Sequence, residues 1–135
     1  LLAVIAFLLL PEPTNADNAN GLVAPGDAVV RVIDGDTFTL RLPEGDVSVR
    51  PAGYDSAEIG WRCQCPRECA LAFRSREELV EILSPPARIT IKPIGTSWGR
   101  VVAHVFVDGE SLTERMMATG LVRRWDGKRR SWCPQ

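Results

Sequence analysis

The sequence predicts an α+β protein: a five-stranded β-barrel with two helices packed on it. Three observations carry that prediction. Runs of alternating polarity stand in two groups, one before residue 51 and one after residue 87. Between them a long segment has helical periodicity, opened by Pro66 and closed by Ser84-Pro85-Pro86. Near the C-terminus Ser111-Leu112-Thr113-Glu114 forms a capping box, the mark of a second helix. The chain has 135 residues, enough for one domain around one core and not for two.

Residues 28–33 read as a first strand and residues 37–42 as a second, with Phe38, Leu40 and Leu42 on one face. Pro43-Glu44-Gly45-Asp46 is a turn, and residues 47–50 return as a third strand. A turn centred between Glu44 and Gly45 sets Leu42 opposite Val47, Leu40 opposite Val49 and Asp36 opposite Gly53, so that Asp36 and Asp55 fall close to direct register. Strict alternation turns Arg50 to the other face, and a bulge, or a bend at Gly53, is needed if all three serve one site. The helix over residues 66–83 is expected to face the core with Cys69, Ala72, Phe73, Leu79, Val80 and Leu83. Residues 88–94 and 100–107 make two further strands, and the second helix ends at Gly120. Three strands, a helix, two strands and a helix is the order of a barrel of the oligonucleotide-binding (OB) type.

Hydrophobic residues make up 45% of the chain and charged residues 24%, which excludes an intrinsically disordered protein. A net charge of −1 conceals an uneven distribution: Arg123, Arg124, Lys128, Arg129 and Arg130 stand near the C-terminus against Asp126 alone. That tail is a candidate contact for phosphate or, failing that, a solvated end. Residues 1–10 are all apolar, too few to span a bilayer and the right length for the apolar part of a secretory signal. With no Met and no basic residue ahead of it, this signal reads as truncated; a buried helix or a retained anchor are the alternatives. The expected organisation is a signal or apolar segment over residues 1–16, a linker over 17–26 and one folded domain over 27–135. Cleavage is expected after Ala16 or Ala19.

Cysteine usage agrees with export. Cys63, Cys65 and Cys69 sit too close together for the paired spacing of a zinc site, and with Cys133 the count of four is even. Disulfides in an oxidising compartment, secreted or periplasmic, are the simpler account, with free buried thiols as the alternative. Four cysteines permit three pairings, and spacing does not choose among them. A bridge from the cluster to Cys133 would tie the tail to the body and stabilise by about 4 kcal/mol in the chain-entropy model.

The chemistry resides in a scatter of polar residues. Asp34-Gly35-Asp36-Thr37 opens it and Asp55-Ser56-Ala57-Glu58 closes its acidic part, with Arg50 between and Arg100 much later. Carboxylates to hold a hard cation, a further carboxylate to take a proton and arginines to grip phosphate oxygens are what metal-assisted phosphodiester cleavage requires. Trp98 and Trp125 are candidates for stacking on nucleobases, with packing as the alternative. His104 lies in a strand pattern and is assigned no chemistry.

These motifs, in order, resemble the staphylococcal nuclease (thermonuclease) family. The resemblance runs from about Val29 to Trp125. It is carried by Ile33-Asp34-Gly35-Asp36-Thr37, by Arg50 followed by Gly53-Tyr54-Asp55-Ser56-Ala57-Glu58, by Trp98-Gly99-Arg100 and by Gly120-Leu121. Cys65-Pro66-Arg67-Glu68 and Arg129-Arg130-Ser131-Trp132-Cys133 further resemble short exported bacterial members, and that resemblance implies a Cys65–Cys133 disulfide.

The resemblance implies that Asp36, Asp55 and the backbone carbonyl of Ser56 bind Ca2+, that Glu58 is the general base, and that Arg50 and Arg100 donate to the phosphate as charge grows on it. It implies hydrolysis of DNA and RNA, single-stranded or locally open, with low sequence specificity and 3′ phosphates as products. The expected protein is a monomer without stable membrane association after processing. The sequence departs from the family pattern at Pro51, where an aliphatic strand residue is usual, and at Ala57, where a proline is usual. Ser56 stands for a frequent threonine or alanine, and between Arg88 and Trp98 only Lys92 is charged. The second reading, from a different class, is a nucleic-acid- or protein-binding module of the same fold that has lost turnover.

Overall fold

The computed structural model describes residues 21–135. The expected signal over residues 1–16, its cleavage positions and residues 17–20 of the expected linker lie outside the described residues. The elements are β1 Leu22–Pro25, β2 Val29–Asp34, β3 Thr37–Leu42, β4 Gly45–Pro51, β5 Tyr54–Asp55, α1 Pro66–Leu83, β6 Arg88–Ser97, β7 Arg100–Val107, β8 Glu110–Ser111, α2 Leu112–Ala118 and β9 Arg123–Arg124. A mixed sheet runs β1-β6-β7-β4-β3-β2, with β8 on β7, and curls into a half-barrel under two helices. The fold is α+β, with more strands than the five expected: seven in this sheet, and β5 and β9 paired apart from it. Residues 22–25, expected to be linker, form β1 antiparallel to β6, with Leu22 opposite Ile91 and Ala24 opposite Ile89.

The β3–β4 hairpin is tighter than expected. Leu42 pairs with Gly45, Leu40 with Val47 and Phe38 with Val49, so the loop is Pro43-Glu44 alone. Gly45, at φ 135°, takes the backbone through a region that side chains avoid. Because the displacement from the expected register is even, each residue keeps its face, and Phe38, Leu40 and Val49 are still buried together. Pro51 has no N–H for the parallel β4–β7 ladder; the next residue supplies one, Ala52 N donating to Ala103 O at 2.7 Å.

One core lies between the sheet and the helices: Phe38, Leu40, Val49, Ile89, Ile91, Val105 and Val107 from strands, Leu79 and Leu83 from α1, Leu112 and Met116 from α2. Each large side chain fully buried there stabilises by about 1.5–3 kcal/mol. Helix α1 begins at Pro66 as expected, and Glu68 Oε1 accepts a hydrogen bond from Gln64 N at 2.7 Å, satisfying a donor just ahead of the first turn. Its buried stripe differs from the apolar one expected. Glu68, Ala72, Ser75, Leu79, Ile82 and Leu83 face inward, whereas Phe73 is 59% exposed and Cys69 is also exposed. Polar Glu68 and Ser75 occupy stripe positions because each meets a turn, Glu68 at Gln64 and Ser75 at Gly35. Ser111 Oγ caps α2 by accepting from Glu114 N at 3.3 Å.

Cys65 is bonded to Cys133 and Cys63 to Cys69, with Cα separations of 6.0 and 5.2 Å. Among the described residues no helix is long and apolar enough to cross a membrane.

Candidate functional site

The site is built on two turns that the fold presses together. The first joins β2 to β3 through Gly35. A Cβ there would stand 2.5 Å from Ser75 Oγ and 2.9 Å from Ser56 Cβ, so only glycine lets α1 and the 55–58 segment approach this closely. Tyr54, fully buried, donates its O–H to Gly35 O at 2.8 Å and locks the two turns together. Burial holds that phenol well above its ordinary pKa, as a neutral donor.

The second turn follows β4. Gly53, at φ 101°, bends the chain, and Thr113 of α2 donates to Ala52 O from one side while Trp125 N donates to Gly53 O at 3.0 Å from the other. The bend lies between Arg50 and Asp55, and Arg50 reaches both carboxylates. Its Nη1 lies 3.5 Å from Asp36 Oδ2 and its Nη2 3.5 Å from Asp55 Oδ1. Asp36 is further held by Ser56 N, donating to Oδ2 at 3.0 Å, and by Thr37 Oγ1, donating to Oδ1 at 3.1 Å. β9, paired with β5, brings Arg123 Nη2 to 3.6 Å from Asp55 Oδ2.

Too much negative charge is gathered here for every carboxylate to ionise easily. Burial first, and then the charge of Asp36, pushes Asp34 from 3.8 up to about 8. Asp55 is raised for the same two reasons in the same order, against the pull of Arg50, Arg123 and Arg129. Asp34 also receives Asp36 N at 3.1 Å, so it braces the turn while it loads it with charge.

Glu58 adjoins this pair but is engaged by two other cations. Arg129 Nη1 is hydrogen-bonded to its Oε1, and Arg62 Nη1 lies 3.8 Å from its Oε2. Arg100 stands at the start of β7, where Nε donates to Ser97 O at 3.3 Å and Nη1 lies 3.5 Å from Thr37 Oγ1. The structure thus brings Asp36, Arg50, Asp55 and Ser56 into contact, with Arg100 one side chain away through Thr37.

Two clefts meet at Arg129, which lines both. One, about 450 Å³, takes in Arg50, Arg100, Trp98 and Trp125, with Ile94 on its wall. Arg50 Cζ lies 5.6 Å from the Trp125 ring centre. Trp98 is 94% exposed at the tip of the β6–β7 turn and holds φ 53°, unusual for a bulky side chain. Trp98 is therefore not a packing residue, and Trp125 is partly one. The other cleft, about 630 Å³, contains Asp55, Ser56 and Glu58 together with residues of the 61–64 segment and the tail.

Asp36, Asp55 and Ser56 fit a hard cation. Both carboxylates are buried and adjacent, and Ser56 Oγ is buried with no hydrogen-bond partner. Among the described residues no group of three or more His, Cys, Asp or Glu side chains converges as a metal site, so an ion here would rely on two carboxylates, the Ser56 carbonyl and water. Arg50 offsets part of the charge of the two carboxylates.

The residues that sequence reasoning gave no role in the site are Asp34, Tyr54, Arg62, Arg123 and Arg129. The basic tail is the one signal that pointed to Arg123 and Arg129. No protein-family model matches the chain, and no curated protein matches it significantly.

Proposed function

We propose that the protein is an exported, calcium-dependent nuclease that hydrolyses phosphodiester bonds of DNA and RNA with low sequence specificity and leaves 3′ phosphates. The observation that carries this reading is the contact of Arg50 with both Asp36 and Asp55 beside an arginine- and tryptophan-lined cleft. Disulfides favour an oxidising, secreted or periplasmic setting. The OB-type barrel is the matching fold reading, with β2, β3, β4, β6 and β7 as its five strands and the jump from β4 to β7 as its crossover.

Asp36, Asp55 and the Ser56 carbonyl would hold the calcium ion. Bound there, calcium supplies charge to a phosphate oxygen and lowers the cost of charge build-up on phosphorus. Arg50 exchanges its carboxylates for phosphate oxygens, and Arg100 donates from the Thr37 side, both gaining strength as negative charge develops. Glu58 takes the proton of the attacking water once Arg129 has released it. Trp98 and Trp125 stack on the base next to the scissile phosphate.

The Arg129–Glu58 pair favours a second reading, a binding module without turnover, because an occupied carboxylate is a poor proton acceptor. Digestion of denatured DNA by the oxidised protein separates the two. With calcium, cleavage is expected, stopped by a chelator and reduced about 10²–10⁴-fold in Glu58→Ala. A folded protein that retains DNA but does not cut it in calcium would establish the module instead.

A further inference from the structure

The larger cleft has a construction that hydrolysis of a phosphodiester does not explain. Trp61 stands on one wall, 89% exposed, with Arg62 Cζ 5.3 Å from its ring centre. Arg129, Arg130 and Trp132 form the facing wall, and Trp132 is stacked against Arg123, whose Cζ is 3.8 Å from the ring centre. The two disulfides bracket this cleft rather than the core. Cys63–Cys69 fastens the Trp61 wall to α1, and Cys65–Cys133 fastens the tail beside it. A tail outside regular structure is thereby held ready, which lowers the ordering cost of binding.

We propose that this cleft is a second nucleotide subsite, in which a base of single-stranded nucleic acid stacks on Trp61, across Arg129 from the Trp98–Trp125 cleft. Tryptophans interleaved with arginines suit a base and its phosphate, and the cations already sit on carboxylates that a phosphate can replace: Arg129 and Arg62 on Glu58, Arg130 on Asp126. Because Arg129 lines both clefts, a strand crossing from one to the other meets it above Glu58 and draws it off that carboxylate. Substrate spanning both clefts thus frees the base it needs.

The inference rests on the nucleic-acid reading of the site, and binding measured apart from cleavage tells the two apart. Phosphorothioate-linked single strands resist turnover, and their affinity in calcium is measured by fluorescence anisotropy for a dinucleotide and for a strand long enough to cross both clefts. The full oxidised protein is expected to bind the longer strand more tightly. Trp61→Ala is expected to cut the longer strand's affinity about tenfold and to erase most of its advantage over the dinucleotide, while Trp61→Phe keeps it. Trp61 is too exposed for its loss to unfold the domain. If Trp61→Ala keeps the full advantage of length while the protein still cleaves DNA, the subsite is wrong and the nuclease reading survives. Length-dependent binding that needs Trp61, without cleavage, supports the subsite and overturns the nuclease. Absence of binding to either strand overturns both.

Discussion

Asp34 shows how burial and a neighbouring charge combine at a single residue. It sits two positions from Asp36 in a turn sealed by Tyr54, and its carboxyl is held at about 8 instead of 3.8. Over the interval between those values the folded state binds a proton that the unfolded chain does not. The contribution to stability is therefore complete below about pH 4 and is lost as pH rises towards 8. Asp34→Asn keeps the shape and stays neutral throughout. In a chelator, the melting temperature of Asp34→Asn should exceed that of the parent by a margin that grows from pH 4 to pH 8; a constant margin would show that Asp34 ionises normally. Asp34 was legible in the sequence as part of a turn motif, but its shift was not, because the burial and the charge of Glu58 that contribute to it exist only in the folded chain.

Helix α1 connects local structure to the site. Its ends are written in the sequence, Pro66 at the first helical position and Ser84-Pro85-Pro86 beyond the last. Its inward face is not, since choosing the apolar positions selects Phe73 and misses Ser75. Ser75 is fully buried because Gly35 approaches it, and that contact sets how near α1 stands to the carboxylate turn. Gly35→Ala must push the helix or the 55–58 segment away by several tenths of an ångström. It should destabilise the domain by about 1–3 kcal/mol as an overpacking change, and should lower calcium affinity as the turns separate. Chemical denaturation and calcium titration of the variant check both. The β7–β8 turn, Asp108-Gly109, holds both residues at positive φ. β1, β5, β8 and β9 were not legible in the sequence, because strands this short exist only through the partner each finds.

At the scale of the molecule, the Cys65–Cys133 bridge spans 68 residues and joins the start of α1 to the tail. A loop of that length stabilises by about 4 kcal/mol in the chain-entropy model. Serine at both positions should lower the midpoint of chemical denaturation accordingly and detach the tail. Arg129 then leaves Glu58, and access to the tail by a protease should rise well before global unfolding. Equal protease resistance with and without the bridge would show that the tail is held by Arg123 and its contacts with residues 130 and 131 instead.

The sequence by itself determined the order of the five longer strands and the two helices, the positions of β3, β7 and α1, and the candidacy of Asp36, Arg50, Asp55 and Ser56 for one site, because periodicity, proline stops, caps and short motifs act over a few neighbouring residues. Tertiary structure alone decided the rest. The half-barrel's additional strands, the meeting of Asp36 with Ser56, the burial that raises Asp34, and the tail that places Arg129 on Glu58 all depend on contacts between residues far apart in the chain. Local pattern carries no record of such contacts, since their energy comes from packing and charge that exist only once the chain has closed on itself.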